Sequence, residues 1–294
     1  MKLANLFQDA MSAIRANNIP ESALRLLLAD TFGMGLAELN TRLNMDLKDD
    51  ILTRWNLRLE RLLRGEPPQY ISGQACFYGL QLKVCPGVLI PRPETEGLVE
   101  LVLERLHEHQ LVLDCCCGSG AIALAIKHMR SDATVHASDL SSEAVTLAKQ
   151  NAADLMLDIS IYECDLFPTT TPGYDLIVCN PPYISDTEYQ RLDPSVRDHE
   201  PALALRSGND GLDHMRRLVS QAPSHLTPGG LLCLEHGETQ RESIIGMASS
   251  QGWKLEYAGA DLAGKARYLI FSKPKSQPTT PAVSNQDRSR GYNG

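Results

Sequence analysis

From Leu111 onward the chain repeats one unit: a short apolar run, a polar residue at its end, then an amphipathic stretch. Short apolar runs that alternate with helical stretches specify a parallel sheet flanked by helices, an α/β fold. Leu111-Val112-Leu113 ends at Asp114, residues 134–138 end at Asp139, residues 159–162 lead into Cys164-Asp165-Leu166-Phe167, and residues 174–179 end at Asn180. Helices are expected over 94–108, 121–129, 212–221 and 240–249, with Ser141 capping another. Pro228-Gly229-Gly230 should break the chain before a strand at 231–235, and late strands are expected near 253–257 and 268–271. In such doubly wound sheets ligands sit outside the carboxyl ends of the strands, near the switch in strand order. Asp114, Asp139, Asp165 and Asn180 are therefore expected to line one cleft.

Asn180 is followed at once by Pro181, Pro182 and Tyr183. Proline keeps the preceding residue extended, and two prolines make a stiff turn with few competing N–H donors. The Asn180 side-chain oxygen and the Pro181 carbonyl are placed to accept both hydrogens of a planar NH2 group, with Tyr183 as a flat face for it to stack on. Asn-Pro-Pro-Tyr resembles the signature of amino-methyltransferases, which methylate adenine N6, cytosine N4 or a glutamine amide with S-adenosylmethionine. Taken alone, four residues fit a proline-stiffened loop equally well.

Gly118-Ser119-Gly120 lets the backbone approach a ligand closely ahead of a helix N-terminus. Asp139, about twenty residues beyond this loop, is placed to accept both ribose hydroxyls. Asp165 is placed to accept from an adenine N6, and Leu166 to pack on the ring. Singly, each aspartate could as well cap a helix or sit in a solvated turn. A glycine turn with a downstream acid also suits a nicotinamide dinucleotide, but G-x-G-x-x-G is absent and Asn-Pro-Pro-Tyr has no part in hydride transfer.

The first 65 residues read as a small helical bundle, with helices expected over 2–17, 21–33, 36–43 and 46–64. Arg54, Arg58, Arg61 and Arg64 flank the last of these, either as a solvated face or as a docking surface. Residues 70–90, from Tyr70-Ile71 through the breaks at Gly73 and Gly79, read as a β-hairpin linker. The boundaries expected are 1–68 for the bundle, 69–90 for the linker, 91–272 for the α/β domain and 273–294 for a disordered tail poor in apolar residues.

The net charge is −8, and residues 86–272 carry fourteen basic against twenty-six acidic side chains. Phosphate contacts dominate duplex affinity, so a domain this acidic is a poor DNA binder, and no direct nucleic-acid partner is expected. No run of residues is long and apolar enough to span a bilayer, and none is expected to insert in one. The eight cysteines sit mostly within apolar runs without framework or metal-ligand spacing, which points to reduced buried thiols, a cytoplasmic location and no metal.

Several segments together resemble the HemK/PrmC-type release factor glutamine methyltransferases: Gly65-Glu66-Pro67-Pro68-Gln69-Tyr70, Phe77-Tyr78-Gly79-Leu80, Ile90-Pro91-Arg92-Pro93-Glu94-Thr95-Glu96, the loop at 114–120, Asn180-Pro181-Pro182-Tyr183-Ile184, Glu200-Pro201 and Asp261-Leu262-Ala263-Gly264. The resemblance implies a Rossmann-like class I methyltransferase domain with a seven-stranded, mostly parallel sheet and a small N-terminal helical domain. It implies methyl transfer from S-adenosylmethionine to N5 of the glutamine in the Gly-Gly-Gln motif of class 1 peptide chain release factors, by a monomer. Asn180, Pro181, Pro182 and Tyr183 would then hold the substrate amide. Cys116, Cys117, Gly118, Ser119 and Gly120, with Asp139, Asp165, Leu166 and Asn180, would hold the cofactor. In place of the family's Asp-Leu-Gly-Thr-Gly-Ser-Gly this chain has Cys115, Cys116 and Cys117 at the second to fourth positions. A Cβ at 116 would crowd the methionine portion of the cofactor unless φ there is negative. A ribosomal-protein glutamine methyltransferase, a DNA adenine methyltransferase and a non-catalytic cofactor-binding module are the alternatives. The Ile-Pro-Arg-Pro-Glu-Thr-Glu segment favours the release-factor branch, and an intact Asn-Pro-Pro-Tyr disfavours pure binding.

Overall fold

Residues 1–169 and 173–273 are described in the structure, a computed structural model. The expected tail therefore lies, apart from Lys273, outside the described residues.

Four N-terminal helices, Leu3–Ala16, Glu21–Phe32, Leu36–Thr41 and Asp49–Leu63, follow the apolar spacing of the sequence. They close around a core of their own that includes Leu6, Ile14, Leu24, Leu27, Trp55 and Leu62. The arginines of the last helix bind within the bundle. Arg58 pairs with Asp30 at 2.5 Å, and Arg61 grips Glu66 through two bonds of 2.7 and 2.5 Å. Tyr70 and Ile71, expected in a strand, lie instead in a short helix, Pro68–Ser72. Proline is pre-organised for a first helical turn, and Gly73, left-handed at φ 76°, stops it.

The hairpin proper is β1 (Gln74–Phe77) with β2 (Leu80–Lys83). Its two-residue turn is left-handed at both Tyr78 (φ 51°) and Gly79 (φ 77°), the combination whose twist matches paired strands. Helix Pro93–Leu103 ends earlier than the expected Glu108, because the chain must turn there to enter the sheet. Arg105 Nη1 closes its end by donating to the Leu101 carbonyl at 2.8 Å.

Among the described residues the main sheet has seven strands: β3 (Leu111–Cys115), β4 (Thr134–Asp139), β5 (Ser160–Glu163), β6 (Tyr174–Cys179), β7 (Leu226–Glu235), β8 (Lys254–Ala260) and β9 (Ala266–Ser272). Their order is β5-β4-β3-β6-β7-β9-β8. β3 to β7 run parallel, and β9 is antiparallel to both neighbours. Helices Ala121–Met129 and Ser142–Asp154 follow β3 and β4, and Ser141 caps the second as expected. Pro228, Gly229 and Gly230 do not separate a turn from a strand. They form a bulge inside β7, whose pairing with β6 slips between Tyr174 and Leu176. Apolar side chains fill both faces, with Leu98, Leu124 and Val135 in one layer and Met215, Leu218 and Phe271 in the other. The strand order reverses between β3 and β6, which places the ligand crevice at their carboxyl ends.

Candidate active site

A cleft opens where β3, β4, β5 and β6 end. Cys116, Cys117, Gly118 and Ser119 enter it from the loop after β3, and Asp139 from the end of β4. Asp165 and Leu166 follow β5, and Asn180 and Pro182 follow β6. Asp139, Asp165 and Asn180 thus meet as the strand pattern predicts.

Asp114 does not reach the cleft. β3 continues to Cys115, which turns the Asp114 carboxylate under the loop. Its Oδ2 accepts the Ala123 N–H at 3.0 Å, tying down the next helix, while Oδ1 is buried without a partner. Burial pushes this carboxyl up to about 8. Gly120 also stays out of the cleft wall. It is left-handed at φ 82°, and a Cβ there would lie 3.2 Å from that of Ala148. Its role is to let the loop close against helix Ser142–Asp154.

Asp139 is held from both sides: Oδ2 accepts from Gly118 N at 2.8 Å and Oδ1 from Ser141 N at 2.9 Å. Each oxygen keeps a further lone pair, the arrangement that a vicinal diol can use. Burial raises this carboxyl, and the backbone N–H groups of Ser141, Gly118 and Leu140 pull it back down. Asp165 pairs with Arg217 Nη2 at 2.6 Å at the outer lip.

Leu166 is left-handed at φ 62°, an uncommon conformation for a bulky residue. Its carbonyl is turned inward, where Ser138 Oγ donates to it at 2.6 Å and Cys115 Sγ at 3.3 Å. The Leu166 side chain is thereby held at the cleft wall. Cys116 has φ 56°, so the negative φ that would have kept its Cβ clear is not adopted. The residue packs on the apolar cluster that holds Cys115 and Cys179 while still lining the cleft. The Cys179 thiol is pushed well above its usual range by burial and then by its contact with the Cys116 thiol.

A second hollow lies beside the cleft. Pro181, Tyr183, Glu94, Glu235 and Arg267 line it. Pro181 and Tyr183 are therefore on the far side of Asn180 from the glycine loop. Asn180 borders both spaces, as do Leu89, Arg92 and Ala204. Its Nδ2 donates to Thr95 Oγ1 at 3.0 Å. Its Oδ1 is buried and has no hydrogen-bond partner. An unpaired buried acceptor costs about 1–3 kcal/mol, and this one stands in the wall shared by the two hollows.

Beneath Tyr183 lies Glu235, at the end of β7. Tyr183 Oη donates to Glu235 Oε1 at 3.4 Å, and Oε2 is buried without a partner of regular hydrogen-bond geometry. Burial lifts the Glu235 carboxyl to about 7, against the pull of the Thr95 hydroxyl, Arg267 and the Tyr183 hydroxyl. The Tyr183 phenol is raised to about 12 by burial and then by Glu235. Arg92, which borders both spaces, pairs through Nη2 with Oε1 of the buried Glu200 at 2.6 Å.

Sequence reasoning missed Glu235 and His214 as parts of the site, and Thr95 stood in a motif without a role. His214 lines the cleft with Nδ1 2.9 Å from Ser207 Oγ, and nothing in its local sequence marks it. Glu235 had a signal: it is an acid ending an apolar strand, the same pattern that exposed Asp139.

Comparison with known proteins bears on this geometry. The chain matches the Methyltransferase small domain over residues 94–193 and the PrmC N-terminal domain over residues 5–73. It is 40% identical over 257 residues to a release factor glutamine methyltransferase of Neisseria gonorrhoeae, covering 86% of this chain and 94% of that one. A release factor glutamine methyltransferase of Koribacter versatilis is 36% identical over 282 residues, covering 94% of this chain and 100% of its own. Among solved structures, a methyltransferase from Pyrococcus furiosus superposes with a TM-score of 0.54 at 18% identity, over 75% of this chain and 100% of that one. That likeness concerns the fold.

Proposed function

The chain belongs to the release factor glutamine methyltransferases, and from that premise we propose that it moves a methyl group from S-adenosylmethionine to the side-chain amide nitrogen (N5) of the glutamine in the Gly-Gly-Gln motif of class 1 release factors. One observation carries the reading: the buried, unpartnered Oδ1 of Asn180 stands in the wall common to two hollows.

The residues of the cleft beside the glycine loop fit S-adenosylmethionine. Asp139 has lone pairs free for two ribose hydroxyls, and Leu166, Ile122 and Val88 supply apolar walls for a purine. Asp165 is within the same cleft to accept from its amine, while Cys116, Cys117, Gly118 and Ser119 border the remainder. When bound, the cofactor supplies a methyl group made electrophilic by its sulfonium.

The second hollow fits the substrate amide. A glutamine amide nitrogen is a poor nucleophile because its lone pair is delocalised into the carbonyl. Asn180 Oδ1 and the Pro181 carbonyl accept its two N–H hydrogens, and the Tyr183 ring fixes its plane. Held so, the nitrogen is oriented toward the cleft, and the clamp favours the geometry in which its lone pair is released for attack. Thr95 keeps Asn180 from rotating. The stiffness of two successive prolines holds the acceptors in place without a ligand.

The test is methyl-labelled S-adenosylmethionine with unmodified release factor, beside a Gly-Gly-Asn variant and duplex DNA. Label is expected on the unmodified release factor alone, and is expected to vanish with Asn180→Ala. Label on DNA, or equal label on the Gly-Gly-Asn variant, would overturn the reading.

A further inference from the structure

Glu235 is a carboxylate at 1% exposure, and neither the cofactor cleft nor the amide clamp as described makes use of it. It nevertheless accepts from one arm of that clamp directly and faces the residue that holds the other. On one side it accepts from Tyr183 Oη at 3.4 Å. On the other it faces the Thr95 hydroxyl, which stabilises its ionised form and whose oxygen accepts from Asn180 Nδ2 at 3.0 Å.

We propose that Glu235 is a positioning residue for methyl transfer, setting the orientation of the Asn180 amide through Thr95 and of the Tyr183 ring through its hydroxyl. The inference rests on the reading that Asn180 and Tyr183 hold the substrate amide.

Donor and acceptor polarity sets that orientation. An ionised carboxylate can only accept hydrogen bonds. Thr95 has a single hydroxyl proton, so giving it to Glu235 leaves only lone pairs for Asn180. Asn180 must then turn its NH2 toward Thr95 and its Oδ1 toward the hollows, where an acceptor is needed. A neutral partner at 235 loses this directionality. It can donate to Thr95, whose own proton is then free for Asn180 Oδ1, with the amide turned round. An NH2 facing a substrate NH2 repels it. The same carboxylate draws the Tyr183 hydroxyl inward, so one group sets both the acceptor and the stacking face.

Ionisation of Glu235 is thus coupled to the clamp. Facing it are Tyr183 from the loop after β6, Thr95 and Glu94 from helix Pro93–Leu103, and Arg267 and Tyr268 from β9. Arg267 also pairs with Asp261 at 3.3 Å, and Tyr268 Oη donates to the Glu94 carbonyl at 2.5 Å. With Tyr183 and Tyr268 both raised to about 12, neither phenol ionises near neutral pH. Glu235, lifted to about 7, is the group of this set that changes charge there.

The experiment compares wild type, Glu235→Gln, Thr95→Val/Tyr183→Phe, and the triple variant, measuring kcat and KM for release factor from pH 6 to 9, and S-adenosylmethionine affinity by calorimetry. Glu235→Gln is expected to lower kcat on the order of 100-fold, the loss that a small misplacement of a reacting group brings, with cofactor affinity unchanged. The wild-type kcat is expected to rise through neutral pH, and that limb to disappear in Glu235→Gln. In the Thr95→Val/Tyr183→Phe background the further change to Gln is expected to have no effect on kcat. Full activity in Glu235→Gln with Asn180→Ala inactive would overturn this inference alone. An equal fold loss in both backgrounds, or an acid limb that persists in Glu235→Gln, would also overturn it. Full activity in Asn180→Ala would overturn the clamp reading itself, and this inference with it.

Discussion

Asn151, from the last turn of the helix after β4, donates from Nδ2 to the Ser119 carbonyl in the glycine loop at 2.9 Å. The same side chain accepts from Lys83 N at 2.8 Å and donates to Lys83 O at 3.1 Å, at the end of the hairpin. One buried amide therefore fastens the linker to the loop that borders the cofactor cleft. Replacing it by Leu strands three backbone groups, at about 1–3 kcal/mol for each that water cannot reach. Asn151→Leu is expected to destabilise the protein by roughly 3 kcal/mol in urea unfolding and to weaken S-adenosylmethionine binding. Unchanged cofactor affinity at full folding would show that the loop does not depend on this tie.

Cys116 inverts the usual order of two small substitutions. Glycine ordinarily destabilises relative to alanine through unfolded-state entropy. At φ 56° a side chain carries left-handed strain of about 1–2 kcal/mol that glycine escapes. Cys116→Gly is therefore expected to melt at or above the temperature of Cys116→Ala. The glycine variant is also expected to bind cofactor more tightly than wild type, because the side chain lines the cleft. A Cys116→Gly protein that melts clearly below Cys116→Ala would count against strain at this position.

How far these features were legible depends on the kind of interaction. Asp139 and Asn180 were legible because each ends an apolar strand, and strand ends in a parallel sheet have one place to go. Asp114 carries the same signal and misleads, because β3 runs one residue further and turns its carboxylate inward. Thr95 was named in a motif without a role: its bond to Asn180 spans 85 positions, and nothing local encodes such a contact. The helix at Pro68–Ser72 was hidden by residues of strand-like composition, Tyr70 and Ile71, whose conformation the flanking prolines and Gly73 decide. The bulge at Pro228–Gly230 shows the converse: residues typical of turns were absorbed into a strand because β6 pairs on either side of them.

Asp114 sets a pH dependence of stability. Its folded value of about 8 lies above its unfolded value of 3.8, so between these values the folded state holds the proton and the unfolded state releases it. Stability therefore falls as pH rises, by about 1.4 kcal/mol per pH unit while the group is fully protonated in the fold alone. Glu235, raised from 4.5 to about 7, contributes in the same direction over its own lower window. Histidines 136, 214, 225 and 236 are lowered from 6.5 by burial and oppose this trend, but only below their unfolded value. Urea midpoints are expected to drop between pH 7 and pH 8, and Asp114→Asn to flatten that drop while keeping the bond to Ala123 N through its amide oxygen. A wild-type midpoint that rises over this interval would contradict a buried, protonated Asp114.

Arg92 and Glu200 form an unequal pair, with side-chain exposures of 32% and 1%. Glu200 Oε2 also accepts from Ile90 N at 3.4 Å, so the carboxylate holds the segment that covers both hollows. Removing the exposed partner leaves the buried charge alone, which costs about 3–5 kcal/mol, whereas removing both charges restores much of that. Arg92→Met is expected to unfold at markedly lower urea than wild type, and Arg92→Met/Glu200→Gln to recover most of the difference. Activity is expected to follow a different order. Arg92 borders both spaces and faces Tyr183, so the double variant should fold normally and still show a raised KM for release factor. Equal destabilisation in the single and double variants would mean that Glu200 is solvated in the absence of Arg92, and a wild-type KM in the double variant would limit Arg92 to its structural pairing.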